Sequence, residues 1–264
     1  MKNRIGILQG RLTASNGRGV QFFPFEAWEE EFAVAKKVGF GAIELLVKKD
    51  SYQKNPLWSE RGRKRLRELA KEHGLLISSV HGFTLKTPEY AEVAADLVRF
   101  SREVGANTIL LSFFDENMLK NKEDKESARE RLGPAVKLAE GLGVRLGIEA
   151  EMSAPELLEF IDSFNSDVVG VYYDIGNMVS MNVDVPVEIA LLGDRIFGIH
   201  IKDRLKNGGP SVPIGSGDSN FPAVLNKLKE IGYEGVYILQ GAREENTDDI
   251  ELNQKYFNFL SDLI

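Results

Sequence analysis

Short apolar runs alternate with longer amphipathic stretches along the whole chain. Eight runs stand out: Arg4–Gln9, Ala42–Leu46, Leu75–His81, Thr108–Ser112, Arg145–Glu149, Val168–Asp174, Ile196–His200 and Val236–Gln240. They are rich in Ile, Val and Leu and show little in/out alternation, as parallel strands covered on both faces do. Between them, Phe25–Val38, Pro88–Val104, Asp124–Leu142, Pro155–Phe164 and Phe221–Ile231 repeat apolar residues near i, i+3, i+4 and i+7, the spacing of a helix with one buried face. Pro88 and Pro155 suit a first helical turn, where a missing N–H costs little. Gly39, Gly74, Gly105, Gly143 and Gly232 each follow a helical stretch and precede a strand, the place where a left-handed residue ends a helix. A last helix over Asn246–Ile264 closes the chain. Repeated strand–helix units predict an α/β fold, a (β/α)8 TIM barrel forming a single domain over residues 1–264. The rival, an open doubly wound sheet, calls for a glycine-rich phosphate fingerprint after a strand, and none is present.

The bulk numbers narrow the partners. A chain of 264 residues with 43% hydrophobic content suits one large domain with a buried core. The net charge is −7, and no basic stripe marks a nucleic-acid surface. The basic run Arg61–Arg67 reads as the solvated face of a helix whose buried side is Leu66 and Leu69. The absence of cysteine excludes disulfides, thiolate metal sites and cysteine nucleophiles. No apolar run reaches the roughly 18 residues of a membrane span. The start, Met1-Lys-Asn-Arg-Ile-Gly, lacks the apolar core of a signal peptide. A cytoplasmic protein with no nucleic-acid or membrane partner is expected, and a homo-oligomer is compatible with this composition.

Barrel active sites lie at the C-terminal ends of the strands, so the last residues of each run carry the candidate chemistry. The fifth to eighth runs end in Glu149, Asp174, His200 and Gln240. Two carboxylates and an imidazole converging on a barrel axis suit one divalent cation, Mn, Mg, Co or Zn, bound mainly through oxygen. Each residue also has a bland reading. Glu149 also fits a strand-end salt bridge, Asp174 a cap of the next helix, and His200 a satisfied core histidine. Gln240 fits a hydrogen bond to substrate or water as well as a bond to a metal. His81 ends the third run and is a candidate substrate contact or proton shuttle, with a structural role as the alternative. Glu44 in the second run fits the orienting of a ligand or substrate and structural pairing equally. His73 falls in a helix's last turn and is assigned no chemistry. Lys202 and Arg204 follow the seventh run and Arg243 the eighth, the region where TIM barrels often bind phosphate. The loop Val212–Phe221, with Gly215 and Gly217, allows close backbone approach to an anion, with Asp218 or Ser219 as a helix cap.

Four segments resemble the xylose isomerase-like TIM barrels, in particular the bacterial sugar-phosphate isomerase/epimerase branch. They are Gly6-Ile-Leu-Gln-Gly-Arg-Leu12, Tyr173-Asp-Ile-Gly-Asn177, Ile199-His-Ile-Lys-Asp-Arg204 followed by Val212-Pro-Ile-Gly-Ser-Gly-Asp218, and Leu239-Gln-Gly-Ala-Arg243. The resemblance implies a metal on Glu149, Asp174, His200 and Gln240. In related ketose epimerases the last position is a glutamate, and both glutamates move protons, one on each face of the carbon. Gln240 takes no proton at neutral pH. The expected activity is therefore isomerisation or epimerisation of a sugar or sugar phosphate through an enediolate. Glu149 is the base and His81 or Glu44 a second proton carrier, with Glu44, Asn177, Lys202, Arg204 and Arg243 facing substrate. The alternatives are a metal-dependent dehydratase or lyase on a polyol derivative and a non-catalytic sugar-binding barrel. An abasic-site endonuclease on this barrel calls for more than the three histidines of an acidic chain.

Overall fold

The structure, a computed structural model, describes residues 4–264. The reading of the N-terminal start falls partly on Met1–Asn3, which lie outside the described residues. Strands β1 (Ile5–Leu8), β2 (Ala42–Leu46), β3 (Leu76–His81), β4 (Thr108–Phe113), β5 (Arg145–Ala150), β6 (Val169–Asp174) and β7 (Ile196–Ile201) run parallel around the wall of a barrel. A short antiparallel hairpin, β8 (Asp203–Arg204) and β9 (Ser211–Val212), rises from the loop after β7. The eighth wall strand, β10 (Tyr237–Leu239), then pairs with both β7 and β1 and closes the barrel. Helices α1 (Glu30–Val38), α2 (Glu60–His73), α3 (Tyr90–Glu103), α4 (Lys122–Leu142) and α5 (Ala154–Asp162) follow β1 to β5 in turn. Two helices, α6 (Ile175–Ser180) and α7 (Val185–Leu192), follow β6. The last two, α8 (Phe221–Glu230) and α9 (Asp249–Leu263), flank β10. Among the described residues no helix is long and apolar enough to cross a membrane.

The glycine stops have the expected cause: Gly39, Gly74 and Gly143 end α1, α2 and α4 at positive φ. Two local departures have physical reasons. Helix α1 starts at Glu30 and not at Phe25, because residues 25–29 form turns, with the Ala27 N–H bonded back to the Pro24 carbonyl at 2.9 Å. Phe25 packs edge-on against Phe23 at 4.8 Å between ring centroids. The basic face of α2 is not wholly solvated. Arg63 is buried, bonded to Glu103 at 2.6 Å and to the Leu57 carbonyl at 3.0 Å, with its guanidinium over the Phe100 ring.

The β1–α1 loop is held by a buried carboxylate. Glu31 accepts the N–H of Gly10 at 2.6 Å, the N–H of Leu12 at 3.1 Å and the Thr13 hydroxyl at 2.8 Å. Gly10 itself sits at positive φ, where a Cβ would strike the Phe22 carbonyl. Burial raises the Glu31 carboxyl to about 7, against the lowering by its hydrogen-bond donors. The folded state thus holds this proton more tightly than the unfolded chain, whose glutamate titrates near 4.5. Stability from this group is full below about pH 4.5 and is lost as pH rises through about 7, by up to about 3 kcal/mol. E31Q, which cannot ionise, is expected to flatten this part of the profile. Thermal unfolding of both proteins from about pH 5 to 8 checks it, and parallel curves would refute it.

The barrel interior carries a polar layer. Glu44 from β2, Ser79 from β3, Tyr172 from β6 and His200 from β7 meet there, all buried. Glycines make room for the tyrosine: a Cβ on Gly198 would overlap the Tyr172 ring.

Candidate active site

The C-terminal rim of the barrel surrounds a cavity of about 460 Å³, lined by His81, Glu149, Asn177, Lys202, Arg204 and Gln240 among others. A second cavity, of about 480 Å³, opens at the opposite end of the barrel and is lined by none of the three histidines. The chemistry therefore belongs to the C-terminal rim, where barrel enzymes place it.

Strand register assembles the rim cluster. Asp174 at the end of β6 pairs with His200 on β7, and Glu149 on β5 stands on the far side of β6. His200 Nδ1 lies 3.8 Å from Glu149 Oε1 and 3.8 Å from Asp174 Oδ2. These spacings are too long for hydrogen bonds. One ligand atom from each of the three residues lies within 4.8 Å of the others. Asp174 divides its work: Oδ1 caps α6 by accepting the Asn177 N–H at 2.8 Å, which leaves Oδ2 for the cluster. His200 Nδ1 and Gln240 Oε1 are buried with no hydrogen-bond partner. Buried polar atoms without partners are rare in folded proteins. Here an imidazole and an amide oxygen are left open at the rim that also holds two carboxylates, a donor set that suits a divalent cation.

The charges respond to one another. Burial disfavours the imidazolium of His200, but Glu44, Asp174 and Glu149 outweigh burial and push it well above its ordinary value. Burial would raise Asp174, but Lys202, His200 and the Asn177 N–H hold it below the usual carboxylate range. Glu44 is likewise lowered, because His200 and His81 more than offset its burial.

A model of the xylose isomerase-like TIM barrel family matches residues 32–259. The chain belongs to this family. It is 27% identical over 233 residues to L-ribulose-5-phosphate 3-epimerase UlaE of Escherichia coli O1:K1 / APEC, covering 81% of this chain and 82% of that protein. Among solved structures it is similar to D-allulose 3-epimerase from Methylomonas sp., with TM-score 0.78, 15% identity and coverage of 99% and 98% of the two chains. It is also similar to IOLI protein, solved with a binding zinc atom, with TM-score 0.74, 18% identity and 99% coverage of each chain. At these identities the two structures speak for the shared barrel.

Within this xylose isomerase-like barrel, the residues expected to form the site separate into groups. Glu149, Asp174 and His200 come together, and Gln240 lines the same cavity. Asn177 Oδ1 accepts from Lys202 Nζ at 2.9 Å and Arg204 Nη1 at 3.1 Å, while its Nδ2 approaches Glu149 Oε1 at 3.4 Å. This places two cations beside the carboxylate cluster. His81 stacks on His200 at 5.5 Å and lines the cavity. Glu44 does not line the cavity. It is 0% exposed and bonded to His200, Ser79 and Tyr172 beneath the rim. Arg243 does not reach the cavity either. It donates to the carbonyls of Gly10, Thr13 and Val20 and pairs with Asp249 at 2.6 Å.

The expected anion loop is already filled. The backbone N–H groups of Gly215, Gly217 and Ser219 all donate to the buried Asp203 carboxylate, at 2.9, 2.9 and 3.1 Å. Neither Asp218 nor Ser219 caps α8. Asn220 does, by accepting the Ala223 N–H. One contributor escaped the sequence reading. Gln21, from the loop after β1, accepts from Gln240 Nε2 at 3.2 Å and lies 3.3 Å from His81 Nε2. It sits outside every periodic run, so no hydrophobic pattern marked it.

Proposed function

We propose that this barrel is a divalent-metal-dependent isomerase of a keto sugar or sugar phosphate. The observation that carries the reading is the open, buried Nδ1 of His200 between Glu149 and Asp174. Glu149, Asp174 and His200 would hold the ion, with Gln240 Oε1 as a fourth donor. When bound, the ion supplies Lewis acidity, polarising a carbonyl and the hydroxyl beside it and acidifying the C–H between them. Glu149 would take that proton and return it to the neighbouring carbon. Asn177 Nδ2 sits beside Glu149 Oε1 and restricts its orientation. Lys202 and Arg204, both at Asn177 Oδ1, would hold the anionic or polyhydroxylated end of the substrate.

Isomerisation needs one base, which fits an amide at Gln240. The curated relatives named as 3-epimerases favour a second reading, inversion at a carbon, in which His81, stacked on His200 and lining the same cavity, would supply the second proton carrier. One experiment tests both. Chelator-treated protein is incubated in deuterated water with a panel of ketoses and ketose phosphates, with and without Mn²⁺, Mg²⁺, Co²⁺ or Zn²⁺. Ion-dependent incorporation of deuterium, with aldose or epimer as product, is expected. Incorporation that needs no added or residual ion would refute the mechanism.

A further inference from the structure

We infer that Glu44 is a positioning residue, holding His200 in the tautomer that keeps its proton on Nε2 and turns the Nδ1 lone pair toward Glu149 and Asp174. The inference rests on the reading of those residues as ion ligands. The contact spans the barrel interior, because β2 and β7 are not neighbours in the wall. Glu44 Oε2 receives the Ser79 hydroxyl at 2.5 Å and the Tyr172 hydroxyl, and Oε1 lies 2.7 Å from His200 Nε2 and 3.7 Å from His81 Nδ1. An ionised carboxylate only accepts hydrogen bonds. Its partner at 2.7 Å must therefore donate, so His200 Nε2 carries the proton. With an ion in place of a proton on Nδ1, the imidazole keeps a single N–H, the one that Glu44 holds at Nε2. The reverse tautomer would oppose two lone pairs at Nε2 and aim an N–H at the two rim carboxylates.

The depth of Glu44 supports this division of labour. It is 0% exposed, and two hydroxyls and two imidazoles surround its carboxylate, so no face remains for substrate. Tyr172 is held in turn by Gly198, which leaves room for its ring. The carboxylate is thus fixed from below and fixes the imidazole above it. Carboxylates that orient metal-binding histidines act in this way in general, and their loss costs about 10- to 100-fold in ion affinity.

Zn²⁺ alone is a sufficient probe. Competition titration is expected to show E44A binding Zn²⁺ about 10- to 100-fold more weakly than the parent protein. E44Q, which keeps an acceptor oxygen in the same place, should recover part of the loss. In the Zn²⁺-loaded parent protein, ¹⁵N NMR should show His200 protonated at Nε2 and not at Nδ1, a measurement that needs no variant to fold. Equal Zn²⁺ affinity in the parent and E44A, or a proton on Nδ1, would overturn the role of Glu44. Failure of the parent protein itself to bind Zn²⁺ would instead overturn the ion site on which the inference rests.

Discussion

Glu149→Gln is expected to lower kcat for substrate proton exchange by about 10²- to 10⁴-fold, the usual worth of a positioned general base. The change is isosteric, and the buried amide still meets Asn177 Nδ2 through its oxygen, so the fold should survive. What it removes is the lone pair that takes the proton and one negative charge of the rim cluster. These two losses have different signatures. Loss of the base alone depresses kcat and kcat/KM together, whereas loss of ion binding shifts the ion concentration needed for half-maximal activity. Assays across a range of Mn²⁺ concentrations separate them. A kcat within tenfold of the parent at saturating ion would remove Glu149 from the role of base and move attention to His81.

How far the site was legible in the sequence depends on what each residue's neighbours are. The barrel was legible because buried parallel strands are short apolar runs and the helices between them have one apolar face. Given the barrel, strand ends fall on one rim, so Glu149, Asp174, His200 and Gln240 could be grouped without coordinates. Depth along a strand was harder. Glu44 is followed by Leu45 and Leu46 in the same strand, so it lies below the rim and inside the barrel. A lone acid in the apolar run Ala42–Leu46 fits ligand orientation and structural pairing equally, and its partners Ser79, Tyr172 and His200 come from distant strands that no local pattern links to it. Asp174 shows a different limit. Capping and ion binding read as competing roles, yet a carboxylate has two oxygens: Oδ1 caps α6, and Oδ2 is turned to His200 in the rim cluster.

Loops were the least legible part. Gln21 acts from a segment with no periodicity, Asp203 and Arg243 act on backbone atoms of such segments, and the β1–α1 loop turns at Gly10, Asn16, Gly17 and Gly19, all at positive φ. Cations after the seventh and eighth runs suggested phosphate binding. The structure gives the loop N–H groups to Asp203 and the Arg243 guanidinium to carbonyls. On the proposed function, the anionic end of a substrate would fall to Lys202 and Arg204, which meet at Asn177 beside the carboxylate cluster.

Replacing Arg243 with Met is the sharpest test of that reassignment, and it is expected to lower stability by about 3 to 5 kcal/mol. The guanidinium is 10% exposed in its side chain, pairs with Asp249 at 2.6 Å, and donates to three carbonyls of residues 10 to 20. It also lies over the Phe22 ring, with its carbon 4.9 Å from the centroid. Methionine fills part of the volume but leaves Asp249 without its cation and three carbonyls without these donors. R243K keeps a charge near Asp249, but its compact ammonium cannot match the planar fork, so it should fall between the two. Because the same loop carries Gln21 to Gln240 and His81, kcat should also fall in R243M, in parallel for phosphorylated and unphosphorylated substrates. A substrate-binding arginine would behave otherwise: R243M would keep its unfolding free energy in urea and raise KM selectively for phosphorylated substrates. Urea unfolding and a pair of KM values therefore decide between an arginine that holds the loop and one that holds the substrate.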